Sequence, residues 1–302
     1  MQPRGKTSGI RVYAPGKCRY LAHRSADSDN GRTEKFIRKK QVKTTMAQEK
    51  NIVLSAENLS IGYKDSGILR SGISVSLARG SLSCLIGRNG AGKSTLLRTM
   101  CGFQSPLSGT VTLNGKPADS YSRKELSRKM SVVLTEMLGE INYLTVRQTV
   151  ETGRYPYCDC FATLGQEDRT AVNRAMKTAG VEHLAGRTMA EISDGQRQKV
   201  MIAKALAQDT DVILLDEPLS FLDMPAKVEI MNILKNLAQA EGKSLVLSTH
   251  DIDLALHFAD SLWVMRSDGA VRQENRPWAD KNAIVDDVFG VKGELIKDFL
   301  KL

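Results

Sequence analysis

The sequence predicts an α/β protein built on a mainly parallel sheet, and three observations carry that expectation. From about residue 51, short β-rich runs alternate with helical periods, the pattern of βαβ units. A glycine-rich turn at residues 87–95 joins an apolar run to a helical one. A second apolar run, Val212-Ile213-Leu214-Leu215, ends on the carboxylates Asp216 and Glu217.

Taken in order, the expected strands are Leu82–Ile86, Thr110–Leu113, Ser131–Leu134, Val212–Leu215, Leu245–Ser248 and Leu262–Met265. The segment Glu167–Ala179 spaces Val172, Ala175, Met176 and Ala179 at i, i+3, i+4 and i+7, an amphipathic helix that Gly180 stops. Between Ser120 and Ala190 helical text predominates around a loop from Glu136 to Cys160. A helical subdomain, roughly residues 120–190, is therefore expected as an insertion in the α/β core.

Composition sets the outer limits. The 302 residues are 41% apolar and 25% charged, enough to bury a sizeable core. Apolar runs such as Val212–Leu215 fall far short of the roughly 20 residues of a membrane helix, so the chain is not expected to cross a membrane by itself. Cys18, Cys84, Cys101, Cys158 and Cys160 are odd in number and irregular in spacing, which argues against a disulfide framework and for the cytoplasm.

The net charge of +9 has one location. Residues 1–45 hold 12 Lys and Arg against 3 Asp and Glu, leaving 31 against 31 in residues 46–302. Residues 1–45 show no apolar period and read as a disordered basic tail, or as an extension upstream of a true start at Met46. A tether to anionic lipid is the alternative. Because the remainder is neutral, a nucleic-acid partner is not expected.

The chemistry starts at Gly87-Arg88-Asn89-Gly90-Ala91-Gly92-Lys93-Ser94-Thr95, which fits G-x-x-x-x-G-K-[ST] between a strand and a helix. Glycines let successive N–H groups converge on a phosphate, and the helix N-terminus that follows favours an anion. Gly87, Asn89, Gly90, Gly92, Lys93, Ser94 and Thr95 are the expected contacts to a nucleoside triphosphate. Lys93 would neutralise the β- and γ-phosphates, and the Ser94 hydroxyl would bind Mg²⁺. Asp216 stands where ligands bind in open α/β sheets and suits the same metal. Glu217 is placed to orient or deprotonate a water attacking the γ-phosphate.

Many nucleotide enzymes share such a loop, so a second motif decides. Ile192-Ser193-Asp194-Gly195-Gln196-Arg197-Gln198 reads first as an S-x-x-Q capping box opening a helix that carries Val200, Ala203 and Leu206. It also resembles the LSGGQ signature of ATP-binding cassette (ABC) ATPases. Ser220-Phe221-Leu222-Asp223 looks like that family's D-loop, and Ser248-Thr249-His250-Asp251 looks like its switch histidine. Tyr63 matches the aromatic residue that stacks on adenine. The resemblance covers nearly all of residues 51–302.

It implies a P-loop NTPase core of the ABC type with an N-terminal antiparallel β region and an inserted helical subdomain, spanning residues 46–302. It also implies ATP and Mg²⁺ as ligands, catalytic Glu217, His250 and Lys93, and a head-to-tail homodimer. In that dimer Ser193, Gly195 and Gln196 act on the partner copy's nucleotide. Two residues depart from the pattern. Glu136 stands where the family usually has a metal-contacting Gln, and a carboxylate there still suits Mg²⁺. Asp194 replaces the first glycine of the signature pair and is expected to point away from the nucleotide.

The wording Val133-Leu134-Thr135-Glu136, Leu144-Thr145-Val146, Gly153-Arg154-Tyr155-Pro156-Tyr157 and Ser193-Asp194-Gly195 resembles the ATPases of iron–siderophore, haem and cobalamin importers. The partners then implied are integral-membrane permease subunits and, indirectly, a substrate-binding protein, with this chain peripheral on the cytoplasmic face of the membrane. The loop Glu136–Cys160 and the helical subdomain would receive the permease, with Tyr155 and Tyr157 as exposed contacts. The competing classes are a non-transport ABC ATPase acting on nucleic acid or ribosomes and a soluble assembly ATPase. Cys158-Asp159-Cys160 reads as ordinary loop thiols. His183 and His257 read as structural, and Met201 and Met231 as core.

Overall fold

The computed structural model describes residues 51–290 apart from 64, 66, 135–141 and 159–162. Among the described residues ten strands form two sheets. β1 (Ile52–Tyr63), β2 (Gly67–Ala78), β4 (Ser108–Leu113) and the short β5 (Lys116–Pro117) make an antiparallel sheet in the order β2-β1-β4-β5. β3 (Leu82–Ile86), β6 (Met130–Val133), β7 (Val212–Leu215), β8 (Ser244–Thr249), β9 (Ser261–Met265) and β10 (Val271–Asn275) make the second, in the order β10-β9-β3-β8-β7-β6. Every pairing there is parallel except the edge pair β10–β9.

The parallel strands are continuous buried runs because both of their faces are covered. Successive residues serve opposite cores. Ile213, Leu215, Leu245, Leu247, Leu262 and Val264 pack with the helices, while Val212, Leu214, Val246, Trp263 and Met265 pack with β1, β2 and α1 (Lys93–Met100). Register brings the carboxyl ends of four strands side by side: Ile86 opposite Thr249, Leu247 opposite Leu215, and Leu215 opposite Val133.

The helices follow from local chemistry. α2 (Arg123–Ser127) is opened by a Ser122–Glu125 capping box, and α3 (Val146–Glu151) by a Thr145–Gln148 box. α4 (Gln166–Thr178) buries Val172, Ala175 and Met176 as its period requires. α5 (Asp194–Ala207), α6 (Met224–Glu241), α7 (Ile252–Phe258) and α8 (Lys281–Phe289) complete the set. α6 starts on the Asp223 side chain and stops at left-handed Gly242.

One expectation needs correcting. The stretch read as a loop from Glu136 to Cys160 contains α3 and a 3-10 turn, Thr152–Tyr157. α3 is too short to show a period, and only its cap and the pair Val146 and Val150 at i, i+4 marked it. α3, α4 and α5 share one core through Val146, Val150, Val172, Met176, Val200 and Ala203.

Candidate active site

The phosphate-loop candidate leaves β3 at Ile86 and enters α1 at Lys93. Gly90 and Gly92 have φ of 77° and 102°, left-handed values that bend the chain back before the helix. The Lys93 ammonium lies over its own loop, donating to the Gly87 carbonyl at 3.1 Å and the Arg88 carbonyl at 3.3 Å. It also pairs with Glu217 Oε1 at 3.2 Å. Only 4% of Lys93 is exposed, so burial without these partners would be costly.

β7 delivers the two carboxylates. Asp216 is buried, with Oδ1 accepting from Ser248 Oγ at 2.7 Å. Glu217 follows at a φ of 46°, a left-handed value for a residue with a side chain. Its N–H donates to Ser248 Oγ at 2.8 Å, and its Oε2 accepts from Ser220 Oγ at 2.9 Å. His250, just beyond β8, places Nδ1 3.6 Å from the same Oε2. Partial burial pushes the Glu217 carboxyl upward, but the Ser220 hydroxyl, the Lys93 ammonium and His250 outweigh it and leave the pKa below the ordinary range. Glu217 is therefore ionised near neutrality.

Lys93, Asp216, Glu217 and His250, expected from separate stretches of sequence, thus meet at one end of the sheet. Ser94 and Thr95 open the first turn of α1 beside them. A hydroxyl and a carboxylate, Ser94 and Asp216, are hard oxygen donors of the kind Mg²⁺ takes together with phosphate oxygens. Glu136 lies outside the described residues.

Tyr63 ends β1 half exposed, its hydroxyl 3.5 Å from Thr95 Oγ1. Ile68 and Leu69 on β2 are exposed beside it, and a Cβ at Gly92 would meet Leu69 Cδ2 at 2.8 Å. An apolar wall thus borders the loop. The sequence reading missed both of these residues, and it named Ser220 and Ser248 only as members of the D-loop and switch runs, without their bonds to Glu217 and Asp216.

The signature candidate opens α5. Ser193 caps α5: its Oγ accepts from the Gln196 N–H at 3.3 Å, and Gln196 Oε1 accepts from the Ser193 N–H at 3.1 Å. Asp194 points along the helix to Arg197, 3.2 Å away, and is 69% exposed. A Cβ at Gly195 would meet Ala226 at 3.6 Å and Leu222 at 3.9 Å, ordinary contacts. The D-loop candidate runs beside it, with Phe221 90% exposed at a φ of 65°. Among the described residues no hydrogen bond or ion pair ties Ser193 or Gln196 to Lys93, Glu217 or His250.

The Gly153-Arg154-Tyr155-Pro156-Tyr157 run is chiefly a clamp. A Cβ at Gly153 would sit 2.3 Å from the Lys204 carbonyl, so only glycine fits. Buried Arg154 donates to Asp168 and to the Ala207 carbonyl, each at 2.8 Å, joining the turn to both α4 and α5. Of the two tyrosines expected to be exposed, Tyr155 is, whereas Tyr157 is partly buried between the guanidiniums of Arg154 and Arg128. Of the Cys158-Asp159-Cys160 run, Cys158 is a buried thiol that donates to the Arg154 carbonyl at 3.5 Å; the other two residues lie outside the described set.

Comparison with known proteins agrees with this geometry. The sequence pattern of the ABC transporter family matches residues 70–220. An ABC transporter ATP-binding protein of Methanocaldococcus jannaschii is 39% identical over 240 residues, 80% of this chain and 82% of its own. The iron(3+)-hydroxamate import ATP-binding protein of Bacillus subtilis is 34% identical over 245 residues, 81% of this chain and 90% of its own. Among solved structures, CbiO1 of Clostridium perfringens, part of the ABC transporter complex CbiONQ, superposes with a TM-score of 0.68 at 30% identity, over 82% of this chain and 99% of its own. The pattern spans the loop, the signature and the acidic strand described above, and the chain belongs to the ABC transporter family as an ATP-binding, ATP-hydrolysing cassette.

Proposed function

We propose that this ATPase energises an importer, as one of two identical copies that close head to tail on ATP, with iron–siderophore, haem or cobalamin as the cargo class. The observation that carries the reading is an asymmetry in the site. Lys93, Asp216, Glu217 and His250 are assembled within one chain, while Ser193, exposed, and Gly195, partly exposed, open α5 on a face that no hydrogen bond or ion pair among the described residues ties to them. A second copy, turned to face the first, would bring that face to the γ-phosphate.

In the mechanism, Gly87, Asn89, Gly90 and Gly92 shape the loop that holds the phosphates. Lys93 leaves Glu217 and neutralises the β- and γ-oxygens. Ser94 and Asp216 would hold Mg²⁺, which supplies further charge neutralisation on the triphosphate. Glu217, freed from Lys93 and held by Ser220, takes the proton of the attacking water. His250, beside Oε2, orients that carboxylate and the γ-phosphate. Ser193, Gly195 and Gln196 of the facing copy complete the charge-stabilising shell, and Tyr63 offers its ring to adenine. Residues 1–45 take no part in hydrolysis.

The permease would dock beside the helical layer, where Phe103, Tyr143 and Tyr155 are exposed. Among the described residues no helix is long and apolar enough to cross a membrane; the chain would be held at the cytoplasmic face by its partner. The cargo class rests on the wording of the signature and the Gly153–Tyr157 run, and on the printed function of the Bacillus subtilis relative.

The test is Glu217→Gln. It should bind ATP, lose turnover and accumulate as a closed dimer by sedimentation. Extraction of the wild-type chain in mild detergent should then copurify a polytopic membrane protein. A variant that stayed monomeric with ATP at every concentration, or copurification of a ribosome or soluble scaffold instead, would overturn the proposal.

A further inference from the structure

We propose that Ser248 is a positioning residue for hydrolysis, its hydroxyl fixing both the Asp216 carboxylate and the main chain at Glu217. The proposal rests on the reading of the site given above. β7 and β8 pair in parallel as far as Leu215 opposite Leu247, and the ladder ends there. Asp216 and Glu217 are the first two residues beyond it, so the Glu217 N–H has no strand carbonyl to meet. Ser248 takes that place with its side chain.

The polarity of the bridge is fixed by chemistry. A hydroxyl has one proton and two lone pairs. The Glu217 N–H is a donor, so Ser248 Oγ accepts from it at 2.8 Å. The hydroxyl proton is then available to Asp216 Oδ1 at 2.7 Å, the length of a charge-assisted bond. One completely buried side chain therefore sets the direction of the carboxylate proposed to hold the cation and pins the backbone that aims the proposed base.

That backbone needs pinning. Glu217 is held at a φ of 46°, a conformation that costs energy for a residue with a side chain and persists only where its surroundings impose it. The Ser220 N–H bond to the Glu217 carbonyl at 3.2 Å holds the far side of the turn, and Ser248 holds the near side. Packing alone does not explain a hydroxyl here. Its strand neighbours Leu245, Val246 and Leu247 are fully buried aliphatic side chains, and a small apolar residue would fit the same place. Ser248 also stands two residues before His250, so the end of β8 reaches the cation ligand, the base and the switch histidine.

The experiment uses the full chain with Ser248→Ala, Ser248→Thr and Glu217→Gln beside wild type. Three quantities are read: ATP turnover, affinity for a fluorescent ATP analogue in EDTA, and Mn²⁺ affinity of the ADP complex by electron paramagnetic resonance. Ser248→Ala should lower kcat about tenfold or more and weaken Mn²⁺ severalfold, while metal-free nucleotide affinity stays within about twofold. Ser248→Thr, which keeps the hydroxyl, should recover both. If Ser248→Ala does not fold, Ser248→Cys, which keeps a side chain of the same shape, slightly larger, and weakens both bonds, carries the same expectation. Wild-type kcat and Mn²⁺ affinity in Ser248→Ala, with Glu217→Gln inactive, would overturn this inference alone; a Glu217→Gln chain with normal turnover would overturn the reading beneath it. A Ser248→Thr chain as impaired as Ser248→Ala would show a packing role and also overturn the inference.

Discussion

The two halves of the proposed site are built on opposite principles. Around the phosphate loop the reactive groups are partnered within the chain: Lys93 by two carbonyls and Glu217, Asp216 and Glu217 by Ser248, and Glu217 again by Ser220. Around the signature the side-chain bonds of Ser193, Asp194 and Gln196 stay within the first turn of α5. Gly195 lies in the first turn of α5, where glycine costs about 1 kcal/mol of helix stability relative to alanine. Yet the space beside it would accept a methyl group. Phe221 carries an aromatic ring on a left-handed residue and leaves 90% of it in solvent, and Met224 next to it is 59% exposed. Neither choice favours the isolated chain. A glycine that nothing nearby demands and an aromatic ring that nothing nearby covers both make sense against the close approach of another surface.

The sharpest way to break this comparison is complementation. Lys93→Ala removes the loop cation, and Gly195→Asp puts a carboxylate where the facing nucleotide is proposed to lie. Each alone should lower turnover about 100-fold or more, since each removes or opposes charge stabilisation of the γ-phosphoryl group. A mixture of the two should recover measurable activity, because a dimer of one each has one site with an intact loop and an intact signature. No recovery in a mixture shown to form mixed dimers would place both halves in one copy.

Which features were legible from sequence follows the same division. The phosphate loop, Asp216, Glu217 and the signature were readable because their chemistry demands fixed residue types at fixed spacing. The five parallel strands β3, β6, β7, β8 and β9 were readable because two-sided burial writes apolar runs, with limits shifted by one residue at most, as at Met130–Val133 and Ser244–Thr249, whereas β1, β2, β5 and β10 were not placed by residue pattern. α3 was not, since six residues cannot display a period, and Arg154 was taken for part of a family wording when its work is to bind Asp168 and Ala207. The bridging role of Ser248, a residue named only as part of the switch run, was invisible for a different reason. Its two partners come from a neighbouring strand 32 and 31 residues away, and no local pattern registers a bond across a parallel sheet.

A smaller effect separates the clamp from the chemistry. The Arg154–Asp168 pair is largely buried, and removing one partner strands the other, which costs about 3 kcal/mol. Arg154→Met should therefore lower the unfolding free energy by about that amount while the folded fraction keeps its ATP affinity. The Arg154 hydrogen bond, assisted by the Gly165 N–H, holds the Asp168 carboxyl below its ordinary value. A carboxyl with a depressed folded pKa stabilises above its unfolded pKa and loses that stability as pH falls through the folded value. The gap between wild type and Arg154→Met in denaturant titrations should thus be constant at neutral pH and narrow below about pH 4. A gap that widened on acidification would assign the stability to another group.

The smallest expected effect tests the edge of the nucleotide half. Tyr63 stands half exposed at the end of β1, with Ile68 and Leu69 as apolar neighbours and its hydroxyl only loosely placed at 3.5 Å from Thr95. If the ring face receives adenine, the hydroxyl is dispensable and the ring is not. Tyr63→Phe should leave ADP affinity within about twofold, while Tyr63→Ala should weaken it about five- to tenfold, the worth of one aromatic stack. Equal losses in both variants would move the binding contribution from the ring to the hydroxyl and its bond to α1. Titration of both against ADP and inorganic pyrophosphate sharpens the result, because a ring that contacts the base should make no difference to a ligand without one.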